Sequence, residues 1–362
     1  MTTLLLADFK GVASYLLYIG IAILVLMVMI TVHELGHYIV GKIFKFKINE
    51  FSIGFGPALF KRERADGEVF AIRLIPLGGY CAFAGEDDDA VQEGDFNSKK
   101  PWQRILVLVA GAFMNFVTAI LIAGLFFGIY GCPTYKVMSY TPEGKETMYL
   151  SAPFEEEDIL VSVGGKNIYM LSDVMRVIED KDAGEVVEVV VLRNGEKVAL
   201  DVTLNEANIE SIESTGETLT KLGVPAMKGI TVRFGFFEMI GRSFEYTIKL
   251  GATIFTVLGQ LLTGKLGMTA MGGTVTTLTT TATGVQTYGL SYLLQISALI
   301  GVNLAVFNLL PIPALDGSKV VFTAIEWIRG KPINRRIEAI IHTIGFMLLI
   351  GFAILVDLQH CF

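Results

Sequence analysis

Two histidines and a glutamate lie together within the first long apolar stretch of the sequence, as His33-Glu34-Leu35-Gly36-His37. Positions four apart share one face of an α-helix, so His33 and His37 can present two imidazoles to one metal ion while Glu34 stands beside them. Neutral imidazoles suit Zn²⁺, and a neighbouring carboxylate can take a proton from a water whose pKa the metal has lowered to about 7. The pattern therefore predicts a zinc site that activates water.

A five-residue pattern of this kind also arises by chance in helices, but its setting argues for a purpose. Residues 11–32, directly before it, contain no charged side chain, and about 20 such residues are enough to span the hydrocarbon of a bilayer. Polar groups at that depth cost on the order of 3 kcal/mol each unless they are paired or coordinated. We therefore expect the histidines and Glu34 to have a function, such as the zinc site described above.

Composition and apolar runs predict a multi-pass α-helical membrane protein. The chain of 362 residues is 52% hydrophobic and only 18% charged. Apolar runs at about 11–32, 105–130, 288–310 and 337–356 predict four transmembrane helices. The first run is expected to be retained, because no Lys/Arg cluster precedes it and its removal would remove the histidines. The acidic balance, a net charge of −7, and the lack of a basic stripe argue against nucleic acid as a partner.

Asp316, late in the chain, is predicted to lie at the same membrane face as His33 and His37. Basic residues begin after the first span at Lys42 and after the third at Lys319, and positive charges beside a span mark the cytoplasmic side. Both termini are then extracytoplasmic, and Asp316 lies near His33 and His37 close to the cytoplasmic face. Two histidines and a carboxylate with an open fourth position are what a hydrolytic zinc needs. The alternative, that Asp316 is only a helix-end residue, stays open at this point.

Between the spans, the sequence predicts a small sheet and a soluble domain. Short extended runs separated by Asp66-Gly67 predict an antiparallel hairpin near the membrane, either a structural cap or a sheet whose edge receives a substrate strand. Acidic residues outnumber basic ones over residues 133–233, which suits the extracytoplasmic side. Strand-like runs at 159–163, 186–193 and 198–204 and a helix-like run at 171–178 predict either a compact α/β module or a partly open β module there. We divide the chain into 1–48, 49–100 (β-loop region), 101–131, 132–233 (soluble domain), 234–287 (amphipathic interfacial segment and loop) and 288–362.

Three motifs together resemble those of the site-2 protease family of intramembrane zinc metalloproteases. They are His33-Glu34-Leu35-Gly36-His37, Gly111-x-x-x-Asn115 and Asn308-x-x-Pro311-x-x-x-x-Asp316-Gly317. The likeness extends over nearly the whole chain and is closer to the bacterial members that carry a PDZ domain, of the regulator-of-sigma-E protease type.

The resemblance implies a role for each motif residue. His33, His37 and Asp316 would bind Zn²⁺, Glu34 would be the general base and acid, and Asn308 would hold the substrate backbone or the developing oxyanion. Residues 70–84 would form the family's membrane-associated β-loop, which pairs with an unwound substrate helix. The soluble domain would be PDZ-like, but its Glu155-Glu156-Glu157 departs from the family pattern and would repel a peptide carboxylate.

The implied function is regulated intramembrane proteolysis in a bacterial plasma membrane. Substrates would be single-pass membrane proteins already trimmed by another protease, with anti-sigma factors and remnant signal peptides as candidates. The rival hypothesis is a zinc-dependent membrane carrier, or a non-hydrolytic protein that binds membrane helices. A carrier should show repeated halves, which this sequence lacks, and Glu34 has no obvious use in transport.

Overall fold

The computed structural model describes residues 2–86, 92–139, 149–151, 153–205, 221–267 and 272–359. The chain divides into two compact units, one of residues 1–123 with 247–362 and one of residues 124–246. The sequence also predicts a solvated acidic loop after Glu86, a flexible segment over 208–220, and a tail histidine, His360, that is not a ligand. Residues 87–91, 208–220 and 360 lie outside the described part of the chain, so these predictions stay untested.

Helices dominate the first unit, and two of them continue into the second. The helices are α1 (Thr2–Ile43), α2 (Pro101–Tyr130), α3 (Leu171–Ile178), α4 (Phe236–Leu262), α5 (Thr274–Tyr288), α6 (Leu290–Leu309), α7 (Asp316–Arg329) and α8 (Arg335–Gln359). Within the described residues, four helices are long and apolar enough to cross a membrane, as the sequence predicts. They are Ser14–Ile43 of α1, together with α2, α6 and α8.

Small residues allow α1, α2 and α6 to pack closely. A Cβ added at Gly36 of α1 would overlap the carbonyl of Ala110 in α2. A Cβ at Gly301 of α6 would lie 3.3 Å from both the Cβ of Ala119 and the carbonyl oxygen of Asn115 in α2. Because lipid tails are as apolar as the side chains, such close backbone packing, rather than hydrophobic burial, holds these helices together.

The predicted loop over 272–287 is wrong from residue 274 onward, where the chain forms α5. Threonine is a poor helix former, but here the hydroxyls of Thr277, Thr279 and Thr287 donate to carbonyls four residues earlier, at 2.8 to 2.9 Å. Asp357 of α8 accepts the backbone N–H of Val275 at 3.1 Å, so the first turn is capped by another helix. The sequence does not predict helix α7 either.

The predicted hairpin is confirmed. Strands β1 (Ile48–Glu63) and β2 (Val69–Phe83) flank the turn at Asp66-Gly67, where Gly67 has a φ of +84°. The four short runs that the sequence predicts join into two strands, which bend at glycines with positive φ. Residues 48–53 of β1 pair on one side with 79–83 and on the other with 69–72 of β2. Residues 79–83 therefore form one edge of this small sheet.

The second unit contains a sheet and one short helix. Its strands are β3 (Cys132–Met138), β4 (Ile159–Val163), β5 (Lys166–Asn167), β6 (Val186–Arg193), β7 (Glu196–Thr203) and β8 (Ala226–Val232). Their order is β7-β6-β4-β3-β8, with β5 pairing with β4.

The core of this sheet matches the alternation of apolar residues in its central strands. Val189 and Val191 of β6 are fully buried, as are Val174 and Ile178 of α3, and all four belong to one apolar cluster. The sequence correctly predicts β4, β6 and α3, and it places β7 within two residues of its observed bounds. It does not predict β3 or β8, which pair with each other over residues 132–138 and 226–232.

Candidate metal centre

Three side chains from two distant parts of the chain meet at one point in the first unit. His33 and His37 lie one helical turn apart on α1, and Asp316 is the first residue of α7. The Oδ2 atom of Asp316 lies 2.8 Å from His33 Nε2 and 3.2 Å from His37 Nε2. The two Nε2 atoms are 3.1 Å apart. The structure thus brings together the two histidines and the carboxylate that the sequence singles out.

The size and chemistry of this triangle fit a zinc ion. Tetrahedral ligands with bonds of about 2.0 to 2.1 Å are separated by about 3.3 Å, which is close to the three observed separations. His33 and His37 are 5% and 6% exposed, so their ring nitrogens are shielded from bulk water. Two imidazoles and one carboxylate are also a common donor set for catalytic zinc.

A glycine on α2 provides the space around the ring nitrogens. A Cβ added at Gly111 would lie 2.5 Å from His37 Nε2 and 2.7 Å from His33 Nε2. Real Cβ atoms essentially never come this close, so any larger residue at 111 would displace the rings or fill the place of an ion. Gly111 therefore belongs to the site, although the sequence indicates only that it lies in a stripe of small residues.

The other ring nitrogens of the histidines are also occupied. His37 Nδ1 donates to the backbone carbonyl of Val107 at 2.8 Å, which leaves the lone pair of Nε2 free for a metal. His33 Nδ1 faces two side-chain amides, with the amide nitrogens of Asn115 and Asn308 at 3.4 and 3.5 Å. Asn308 therefore lies beside His33, at the cluster that the sequence predicts to bind a metal.

Glu34 lies between this cluster and the edge of the sheet. Its carboxylate interacts electrostatically with all three cluster residues and with the backbone of Cys81 in β2. A Cβ at Gly79 would lie 3.8 Å from Glu34 Cγ. Burial, followed by the charge of Glu34, raises the pKa of the Cys81 thiol. The raised pKa disfavours the thiolate form of Cys81.

The loop before Asp316 is held from two sides. Ala314 has a φ of +81°, which is strained for a residue with a Cβ, and its N–H donates to His342 Nδ1 of α8 at 3.0 Å. Cβ atoms added at Gly345 and Gly317 would overlap the backbone of Pro313 and of Leu309, respectively. The sequence suggests only packing or interfacial contact for His342, whereas the structure gives it a hydrogen bond that holds this loop.

Charged side chains fasten the hairpin to α1 one turn beyond His37. Glu68, in the turn region, accepts hydrogen bonds from Tyr38 Oη at 2.9 Å and from Arg64 Nη1 at 3.2 Å, and it pairs with Lys42. Its side chain is only 4% exposed, so these contacts are largely protected from water. The hairpin is thereby fixed to the helix that carries both histidines and Glu34.

Comparison with known proteins identifies the family. The family model described as peptidase family M50 matches residues 21–352. A Clostridium perfringens protein whose name describes a zinc metalloprotease is 33% identical, over 95% of this chain and 98% of its own length. The regulator of sigma E protease of Haemophilus influenzae and the zinc metalloprotease RasP of Oceanobacillus iheyensis are 26% and 27% identical, each over 94% of this chain and 98% of its own length. The chain therefore belongs to peptidase family M50 and is, with that family, a metalloprotease.

Proposed function

We propose that this chain is a zinc-dependent endopeptidase that cuts membrane-spanning substrates, with His33, His37 and Asp316 as the zinc ligands. The observation that carries the proposal is the convergence of their three ligand atoms beside Glu34, at a helix long and apolar enough to span a membrane. The names of the relatives from Clostridium perfringens and Oceanobacillus iheyensis, which describe zinc metalloproteases, support the choice of metal.

In this mechanism Glu34 moves the proton. His33, His37 and Asp316 would hold a zinc ion, which would supply the Lewis-acid chemistry that lowers the pKa of water and polarises the scissile carbonyl. Glu34 takes the proton from the attacking water and returns it to the leaving amine. His33, His37 and Asp316 hold their positions throughout, and Asn308 is proposed to donate to the substrate backbone or to the developing oxyanion.

We propose that the substrate binds as an extended strand at the edge formed by residues 79–83. Those residues pair with β1 on one side only in the described part of the chain, and Gly79 lies against Glu34. A transmembrane helix hides its backbone in internal hydrogen bonds, so it must unwind before it is cut. Added strand pairing would replace the lost hydrogen bonds. This observation favours a substrate-binding edge over a purely structural cap.

The soluble domain is proposed to be an extracytoplasmic PDZ-like module that acts as a size filter. Its three consecutive glutamates are paired within the domain: Glu155 with Arg193 at 2.7 Å, Glu157 with Lys136 at 2.8 Å, and Glu156 with Ser139. The added negative charge still disfavours a peptide carboxylate nearby. We therefore propose exclusion of bulky substrates rather than capture of peptide C-termini.

The cellular setting follows from these proposals. Positive-inside bias supports a plasma-membrane protein with both termini extracytoplasmic and the metal near the cytoplasmic face. Regulated intramembrane proteolysis of single-pass proteins that another protease has already trimmed is the proposed activity. Anti-sigma factors and remnant signal peptides are the candidate substrates. The name of the Haemophilus influenzae relative, regulator of sigma E protease, links that protein to sigma-factor regulation.

Replacing Glu34 with Gln separates the protease from the rival carrier or binding protein. In purified protein reconstituted into vesicles, Glu34→Gln should retain zinc but lose cleavage of a model transmembrane substrate, because the amide cannot accept the proton. Glu188→Gln, the same change at an exposed site in β6, is the matched control and should cut like the parent. Cleavage by Glu34→Gln at the parent's rate would contradict the mechanism, and a parent that binds zinc without cutting would favour the rival class.

A further inference from the structure

The two ring nitrogens of His33 have different surroundings, which define how the ring must bind a metal. Nε2 lies 2.8 Å from Asp316 Oδ2 and 3.1 Å from His37 Nε2, so Nε2 is the atom that faces the cluster. A neutral imidazole carries one hydrogen, on one nitrogen or the other. If Nε2 gives its lone pair to a metal, the hydrogen must sit on Nδ1, and that N–H needs an acceptor.

His37 meets the same requirement with a main-chain carbonyl, whereas His33 does not. The carbonyl of Val107 can only accept, so it fixes the hydrogen of His37 on Nδ1. The groups that hydrogen-bond with His33 Nδ1 are instead the side-chain amides of Asn115 and Asn308. An amide can donate or accept according to which way it is turned, so here a side chain has to be oriented correctly.

The side-chain oxygen of Asn115, Oδ1, is available to accept a hydrogen bond. The residue is fully buried on α2, and its Oδ1 has no hydrogen-bond partner among the residues that the structure describes. An unpaired buried carbonyl oxygen is costly, because it loses its hydrogen bonds to water and gains none in the protein. A half-turn of the amide exchanges its oxygen and nitrogen, which brings Oδ1 to His33 Nδ1. One rotation thus satisfies both the orphaned oxygen and the N–H that metal binding requires.

We propose that Asn115 is a positioning residue that accepts a hydrogen bond from His33 Nδ1–H and thereby holds Nε2 toward the metal. This inference rests on the proposed zinc site. Gly301 of α6 packs against the Asn115 carbonyl, so the backbone that carries this amide is tightly held. Asn308 is only partly buried, and its amide makes the longer contact with His33 Nδ1, at 3.5 Å, so we assign it to the substrate. Asn115 therefore orients His33, and Asn308 contacts the substrate.

The test measures metal affinity, which a purely structural residue would not control through its hydrogen-bonding atom. Zinc affinity is measured by competition with a chromophoric chelator, and Co²⁺ absorption spectra report the ligand geometry. Asn115→Leu, which is similar in volume and cannot accept, should weaken zinc binding by roughly 10- to 100-fold. Asn115→Asp keeps the acceptor and should bind zinc at least as tightly as the parent. Asn308→Leu should change the affinity by less than about 3-fold.

Several results would overturn the inference. These are parent-like zinc affinity in Asn115→Leu, a tenfold loss in Asn115→Asp, or a loss confined to Asn308→Leu. If Asn115→Leu does not fold, Asn115→Ala and Asn115→Asp give the same comparison. The outcome is separable from the proposed function, because a parent that binds zinc and cuts substrate, alongside an Asn115→Leu protein of equal affinity, removes the role of Asn115 alone.

Discussion

Buried charged groups occur in both units, but they are satisfied in opposite ways. In the soluble domain, Arg193 donates through Nε and Nη2 to both oxygens of the buried Asp158, at 2.8 and 2.7 Å, and the N–H of Glu155 adds a third hydrogen bond. At the metal centre, His37 Nε2 is an acceptor when its Nδ1 donates to Val107, yet it faces Asp316 Oδ2 at 3.2 Å. The first cluster matches donors to acceptors, whereas in the second the lone pair of His37 Nε2 faces a carboxylate oxygen of Asp316.

This contrast distinguishes structural from functional polar burial. A buried carboxylate with a full set of donors is satisfied within the protein, and the loss of its cationic partner leaves an uncompensated buried charge. Lone pairs that converge without enough hydrogens between them are costly unless a cation joins them. Two kinds of variant test this contrast. One fills the space beside His33 and His37, and the other removes Arg193, the donor to Asp158.

The largest effect is expected from filling the space at the metal centre with Gly111→Ala. The added methyl group would meet both Nε2 atoms, and overpacking of about 3 kcal/mol corresponds to a loss of roughly 100-fold in zinc affinity. Cleavage should fall with it. Gly128→Ala is the control in the same helix, because its Cβ would lie 3.6 Å from Met239 Sδ, an ordinary contact. Equal zinc affinity in both variants would show that Gly111 does not border the ion.

Removing the donor from the soluble domain should affect stability alone. Arg193→Leu leaves the Asp158 carboxylate, 1% exposed, without its cation, which costs about 3 kcal/mol. Hydrogen exchange in β4 and β6 of the full-length protein measures this loss, while zinc content should be unchanged. Lys181→Leu, which breaks an exposed pair with Glu185, should change exchange little. A loss of zinc in Arg193→Leu would refute the separation of the two clusters.

The smallest effect concerns the backbone beside the Asp158 cluster. Glu157 has a φ of +73°, where a Cβ is strained, so Glu157→Gly should stabilise the domain by about 1 kcal/mol. The exposed hydrogen bond from Lys136, which holds the pKa of Glu157 below its ordinary value, offsets this only slightly. Glu156 lies next to Glu157 in the chain and has no positive φ. Glu156→Gly should therefore not stabilise the domain, and its amide hydrogen exchange should not become slower. Thermal unfolding and hydrogen exchange that rank the two variants the other way would contradict this reading.

Local patterns explain what could be predicted from the sequence. His33 and His37 share a helix face by spacing alone, and basic residues after two spans suffice to bring Asp316 to the same side. The Asp66-Gly67 turn and the alternation in β4 and β6 are equally local. Each of these features depends on neighbours a few residues away, or on membrane sidedness.

The features that were missed depend on contacts between distant residues. Strands β3 and β8 lie about 90 residues apart in the chain, so the sequence around one strand does not indicate its pairing with the other. Helix α5 is capped by Asp357 from α8, and the strained Ala314 is held by His342. The unused oxygen of Asn115 becomes visible only when the helices are assembled. No pattern within a short window carries this information.

Zinc content per chain, measured by mass spectrometry on purified parent and Asp316→Ala proteins, tests the central claim most directly. The account predicts one zinc per parent chain, and loss of that zinc from Asp316→Ala after brief exposure to a chelator that leaves the parent loaded. A parent without stoichiometric zinc, or an Asp316→Ala protein that holds zinc as firmly as the parent, would contradict it.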